Sequence, residues 1–308
     1  MLTEDLSQHP ADDPRQWSGP IEKLDDAERR SLLNSMTAAP RPRVAIDEAL
    51  ERGWFEIWYQ PKIDLKRRCL AGAEALARIR HPDLGVLLPG NFLPEVSEDS
   101  VSRLTEHALV ETLHNWAKFE EAGFNLHLSI NVPVSALLTL EVPALVEAHR
   151  PPSGRWPGII VEIIEDQVVR DRRLTQQVAS RLQASGIKIA LDDFGAGFSS
   201  LSSLRELPFA ELKLDQGLVR DCAVDAMNAA ICQTAIDLAH RFGSAAVAEG
   251  IESQADLQAI IGMGCDFGQG VLIAPPMPRE TFLDLLMQRV NKSPREAVAP
   301  AAVVGRVA

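Results

Sequence analysis

The chain has 308 residues, 46% of them hydrophobic and 24% charged, which is enough length and apolar content for a large buried core. Lys and Arg total 31 against 43 Asp and Glu, a formal charge of −12, and so acidic a chain is excluded as a generic binder of DNA, RNA or an anionic membrane. If the substrate is anionic, local cations must supply the attraction.

Residues 1–42 read as a polar N-terminal extension. The opening MLTEDLSQHPADD has neither the basic nor the apolar region of a secretory leader. Within the extension, DDAERRSLLNSM has the pattern of one short amphipathic helix, which AAPRPR breaks.

From residue 43 to 290 short apolar runs recur: FEIWYQ (55–60), LAGAEAL (70–76), LHLSIN (126–131), GIIVEII (158–164), GIKIALDD (186–193), FAELKLD (209–215), SAAVAEG (244–250) and CDFGQGVL (265–272). Helical patterns lie between most of them, at 102–123, 174–186, 226–243 and 253–264, several closed by a C-capping Gly. Eight strand-like runs alternating with helices predict a parallel sheet closed into one single-domain (β/α)8 barrel. An open doubly wound sheet usually has fewer strands, and no GxGxxG follows the first run. Residues 291–308 are expected to be a disordered tail. No apolar run reaches the roughly 18 residues of a membrane span. The four cysteines (69, 222, 232 and 265) have no zinc-site spacing and read as buried thiols in a reducing cytoplasm.

Polar residues interrupt or end seven successive runs: Glu74, Asn131, Glu162, Asp192 with Asp193, Lys213, Glu249 and Gln269. In a barrel the C-terminal strand ends surround one mouth, where barrel active sites form. Buried carboxylates need countercharge. One lysine cannot balance five of them, whereas all-oxygen ligation without Cys or His selects hard ions such as Mg²⁺ or Mn²⁺. The acids and Asn131 suffice for two ions sharing a bridging Asp, an arrangement suited to in-line phosphoryl displacement. Taken singly each residue has a plainer reading: a salt-bridged Glu, a turn at Asp192-Asp193, an edge-strand Lys213, a loop Gln269. Their recurrence at one end of seven strands is what those readings fail to explain.

These residues also lie in ordered motifs. They are Tyr59-Gln60-Pro61; Glu74-Ala75-Leu76 with Arg78, His81 and Pro82; Ser129-Ile130-Asn131; Glu162 to Glu165; Asp192-Asp193-Phe194-Gly195; Leu212-Lys213-Leu214-Asp215; Ala248-Glu249-Gly250-Ile251-Glu252; and Gly268-Gln269-Gly270. Over residues 43–290 the chain thereby resembles the EAL-domain family of bacterial cyclic di-GMP phosphodiesterases. The resemblance implies a modified TIM barrel that hydrolyses cyclic di-GMP to linear pGpG with a water activated by two Mg²⁺ or Mn²⁺ ions, Ca²⁺ being inhibitory. It implies Glu74, Asn131, Glu162, Asp192, Asp193 and Glu249 as metal ligands, with Glu249, Lys213 and Glu74 at the reacting water. Arg78, Leu76, Gln60, Gln269 and Asp215 are then the substrate contacts, and Glu165, Phe194, Gly195, Gly197 and Ser199 a loop linked to dimer formation. A homodimer through the barrel and an upstream regulatory protein are the implied partners.

Several positions depart from the family pattern: Ile79, Pro133, Ile164, the loop Phe194–Ser200, Gln216-Gly217-Leu218 and Val271. None removes an implied ligand. The alternatives are a cyclic di-GMP receptor or protein-interaction module with crippled chemistry, and an unrelated metal-dependent barrel such as an enolase-like lyase.

Overall fold

In the computed structural model the described residues are 44–164, 172–196 and 207–292. The extension 1–42, Glu165, Gly197, Ser199 and all of the tail beyond residue 292 lie outside them.

The first apolar run becomes β1 (Phe55–Asp64), which turns through residues 65–68 into β2 (Cys69–His81). Four residues cannot carry a crossover, so the two strands form an antiparallel hairpin with Phe55 opposite Ile79 and Asp64 opposite Cys69. Strand β3 (Gly85–Leu87) adds to the outer end of β2. From there β4 (His127–Asn131), β5 (Ile159–Ile164), β6 (Lys188–Phe194), β7 (Glu211–Leu214), β8 (Ala245–Ala248) and β9 (Phe267–Gly268) follow as parallel neighbours. Strand β9 pairs antiparallel with β1 and closes an eight-strand barrel of β1, β2, β4, β5, β6, β7, β8 and β9, while β10 (Met277–Pro278) pairs outside it. The expectation of a parallel sheet is therefore corrected at one stave: β1 is reversed because a hairpin, not a helix, joins it to β2.

Helices Glu98–Glu121, Arg172–Ala184, Ala226–Arg241 and Gln254–Gly262 match the four predicted patterns. Side chains cap three of them: Ser97 accepts from Ser100 N–H, Asp225 from Met227 and Asn228 N–H, and Ser253 from Asp256 N–H. Two short helices, Val134–Thr139 and Val142–His149, were not predicted; prolines 133 and 143 mark their starts. The main core lies between barrel and helices and includes Tyr59, Leu113, Trp116, Phe119 and Phe282. A separate cluster of Ala71, Ala245, Val247 and Phe267 fills the lower barrel interior. Ala245 is small beside the Phe267 ring, and the polar side chains at the C-terminal strand ends occupy the layer above this cluster.

Candidate active site

Side chains alternate between the two faces of a strand, so residues two apart share the barrel interior. Glu162 on β5, Asp192 on β6 and Lys213 on β7 all face inward and are buried. The Lys213 ammonium is the hub: it lies 2.5 Å from Glu162 Oε2, 2.5 Å from Glu249 Oε1, 3.1 Å from Asp192 Oδ1 and 3.8 Å from Glu74 Oε2. Two amides complete the ring. Asn131 Nδ2 donates to Glu74 Oε1 at 2.7 Å, and Gln269 Nε2 donates to Glu74 Oε2 at 2.6 Å and to Glu249 Oε1 at 3.1 Å.

Adjacent residues on a regular strand point opposite ways, yet Asp192 and Asp193 both reach the mouth. The ladder between β6 and β7 slips between Leu191 and Phe194, and Asp193 has a positive φ of 57°. This bulge turns the second carboxylate back toward the first, in a conformation that Asp tolerates better than most residues. As a result Asp192, Asp193 and Glu249 each offer an oxygen within 4.8 Å of the others. Gly195 follows at φ 95°, and a Cβ there would collide with Leu218.

The site carries more negative charge than its lysine can balance. Burial raises the Glu162 carboxyl well above its usual range, and Glu74, Asp192 and Glu249 add to the rise despite Lys213. Burial also raises Glu249, to about 8, against the pull of Lys213. Burial and Asp192 raise Asp193. For Glu74 burial is outweighed: Lys213 and the Gln269 and Asn131 amides hold it low. Burial would depress Lys213, but the four carboxylates hold its ammonium protonated well above the ordinary lysine range.

This arrangement fits hard divalent cations. The donors are all oxygen, the carboxylates outnumber the ammonium, and Glu162 Oε1 and Gln269 Oε1 are buried without a hydrogen-bond partner among the described residues. Glu74, Asn131, Glu162, Asp192, Asp193 and Glu249 could hold such ions.

The other predicted residues are placed around this cluster. Gln60 sits opposite Glu74 in the hairpin register, with its amide donating to Ala274 O at 3.2 Å. Arg78 is buried and its guanidinium lies 5.7 Å over the Trp58 ring, with Nε unpartnered. Burial lowers its pKa to about 10, so it remains a cation. Leu76 lines an apolar cavity of about 330 Å³ that touches Asn131, Glu162 and Ile164. Asp215 caps the turn Gln216–Val219 by accepting from Gly217 N–H, and its charge reaches Asp193. Phe194 is buried at the end of β6. Sequence reasoning missed a second charged pair in the barrel interior, Lys62 and Glu211, both buried and 2.6 Å apart; the signals available were a charged residue inside the run at β7 and another two residues past the run at β1.

Fold and site together define an α/β barrel whose carboxylate-ringed mouth is built for hard divalent cations. The chain belongs to the EAL domain family, whose model matches residues 43–276. It is 36% identical over 266 residues to cyclic di-GMP phosphodiesterase RocR of Pseudomonas aeruginosa, an alignment covering 84% of this chain and 67% of RocR. It is 34% identical over 284 residues to cyclic di-GMP phosphodiesterase PA2567 of the same organism, covering 90% of this chain but 47% of that protein. Among solved structures it is similar to the PaMucR phosphodiesterase in complex with c-di-GMP, with a TM-score of 0.70 and 30% identity over 82% of this chain and 99% of that one.

Proposed function

We propose that this chain hydrolyses one phosphodiester bond of cyclic di-GMP, giving linear pGpG, with Mg²⁺ or Mn²⁺ held in pairs at the barrel mouth. The observation that carries this reading is the convergence of Glu74, Asn131, Glu162, Asp192, Asp193 and Glu249 around the single ammonium of Lys213. The named activity of RocR and PA2567, and the c-di-GMP complex of PaMucR, support the choice of substrate. When bound, the cations supply Lewis acidity that lowers the pKa of water and stabilises charge developing on phosphoryl oxygen.

The chain's own residues do the rest. Lys213 stays protonated among its carboxylates, so it serves as a fixed cation that orients the nucleophilic water and offsets phosphate charge, not as a base. Glu249 lies 2.5 Å from that ammonium at the open side of the ring and accepts a proton from the water. Gln269 holds Glu74 and Glu249 in register. Arg78, buried but cationic, is suited to the second phosphate or a guanine, and Leu76, Gln60 and Asp215 are the further substrate contacts of this reading. Ca²⁺ would be held by the same oxygens, and its looser geometry would position the nucleophile poorly.

The proposal extends to a homodimer through the barrel; Val224 and Met227, 82% and 68% exposed, are apolar surface that a second copy would cover. It places the protein in the cytoplasm, a reading supported by four free cysteines and by the absence, among the described residues, of a helix long and apolar enough to cross a membrane.

The test is incubation of the purified protein with cyclic di-GMP and, separately, Mg²⁺, Mn²⁺, Ca²⁺ or EDTA, with nucleotides resolved by chromatography. Metal-dependent pGpG is expected with Mg²⁺ or Mn²⁺ and little with Ca²⁺. Intact nucleotide in every tube would refute hydrolysis, and nucleotide binding that persisted would make the protein a receptor on this scaffold.

A further inference from the structure

The barrel interior holds a second lysine below the active-site layer. Lys62 on β1 is 2% exposed, and its ammonium donates to both carboxylate oxygens of Glu211 at 2.6 Å. The Phe267 ring lies 5.5 Å from the same ammonium. Glu211 opens β7 two residues before Lys213, on the same face of the strand. Their backbones are therefore about 7 Å apart, a distance the flexible lysine stem covers easily. Glu211 and the active-site carboxylates are thus rival partners for one ammonium. A buried carboxylate without countercharge recruits whatever cation it can reach.

We infer that Lys62 is a positioning residue for Lys213: by occupying both oxygens of Glu211, it leaves the Lys213 ammonium to Glu162, Glu249 and Asp192 at the barrel mouth. Two lysines and the interior carboxylates are sorted into two layers, and the lower pair keeps the upper lysine at its post. Removing the Lys62 charge lets Lys213 turn down toward Glu211. The active-site carboxylates then lose their resident ammonium and become a more negative site, one that holds metal at least as tightly yet lacks the cation facing the phosphate.

The experiment compares wild type, Lys62→Met, Glu211→Gln and the double variant. Turnover of cyclic di-GMP and its KM are measured with Mg²⁺, Mn²⁺ binding is followed by calorimetry without nucleotide, and Tm is followed in EDTA. Lys62→Met is expected to lose about tenfold or more in kcat, with Mn²⁺ bound as tightly as in wild type or tighter. Glu211→Gln alone, and Glu211→Gln added to Lys62→Met, should both turn over within about threefold of wild type, because the rival carboxylate is gone. A merely structural pair predicts otherwise: a loosened barrel weakens Mn²⁺ binding in step with turnover, and removing Glu211 does not restore kcat at temperatures where all variants are folded. Unchanged kcat in Lys62→Met, or loss without rescue, overturns the inference. If Lys62→Met does not fold, Lys62→Gln keeps a donor to Glu211 without the charge, and the same pattern is expected. The turnover arm builds on the proposed phosphodiesterase activity. The Mn²⁺ arm does not: should wild type prove inactive, weakened Mn²⁺ binding in Lys62→Met still overturns the positioning role.

Discussion

Replacing Lys213 with Met keeps the length of the stem and removes one charge from a cluster that has no other ammonium among the described residues. Breaking a buried ion pair by removing one partner costs about 3–5 kcal/mol, and here one lysine lies within 3.8 Å of four carboxylates. At roughly 2–4 °C per kcal/mol for a domain of this size, Tm in EDTA should fall by roughly 6–20 °C. The carboxyls have one escape, which is to protonate. Glu162 and Glu249 already sit above their unfolded values in the wild-type cluster, Glu249 at about 8, and Glu74, which Lys213 holds low against its burial, joins them once that charge is lost. Between the unfolded and folded pKa values the native state then binds more protons than the unfolded chain, so stability falls as pH rises through that window. The deficit of Lys213→Met should therefore widen from pH 5.5 to 8, by about 1.4 kcal/mol per pH unit for each proton, Glu74's first, that the variant's native state holds and the wild type's does not. Saturating Mg²⁺ should return much of it, since cations replace the missing charge. Turnover with Mg²⁺ should nevertheless drop about 10²-fold or more. The assay is thermal unfolding at three pH values with and without Mg²⁺, paired with pGpG formation. A pH-independent deficit, or wild-type turnover, would refute the account of Lys213 as the cluster's fixed cation.

Metal binding should release protons: with Glu249 held near 8 in the free protein, Mg²⁺ affinity should rise from pH 6 to 8, and calorimetry in buffers of different ionisation enthalpy should count the proton released. A flat affinity over that range would contradict the overloaded-cluster reading. Asp193→Asn preserves the positive φ, which Asn accommodates readily, and removes one of three clustered oxygens. It should leave Tm within about 2 °C of wild type while cutting turnover about tenfold or more. Tyr59→Phe does the reverse. The buried Tyr59 hydroxyl accepts from Asn115 Nδ2 at 2.9 Å, and orphaning that amide should cost about 1–3 kcal/mol with kcat unchanged.

All eight barrel strands are legible as apolar runs because a strand covered on both faces must be apolar nearly throughout. The same property hides direction. Only the four residues between β1 and β2 carry the information that β1 is reversed, and a spacing so short admits nothing but a hairpin. The site is legible for a related reason: a charge within such a run is conspicuous. In the Lys62–Glu211 pair, Glu211 carries the same mark and Lys62 falls two residues past its run, but the pair sits a layer below the mouth, and nothing in the one-dimensional pattern says that β1 and β7 face each other across the interior. The two adjacent aspartates are the opposite case. Strand alternation predicts that one of them points away, and only the bulge, with its positive φ at Asp193, delivers both. The short helices after β4 escape because each is a turn or two long and begins at a proline.

Charge also decides the order in which the site fills. Five carboxylates and one ammonium give the mouth a formal −4, inside a chain of −12, while cyclic di-GMP brings two negative phosphodiesters of its own. Neither the global field nor Lys213 can draw such a ligand in. Arg78 is a single buried guanidinium with a Trp58 face and Glu74 near it, and it cannot reverse the sign alone. Two divalent cations would bring the formal charge of the mouth to zero before the nucleotide arrives, and Arg78 would then tip it positive. Nucleotide binding should consequently depend on metal: affinity for cyclic di-GMP measured by calorimetry with Ca²⁺, where hydrolysis is slow, should exceed that in EDTA by about 10²-fold or more, about 2.7 kcal/mol. The dependence should be reciprocal, with the nucleotide tightening Ca²⁺ by the same factor. Equal affinity in the two conditions would mean that the nucleotide is held by contacts outside the carboxylate ring.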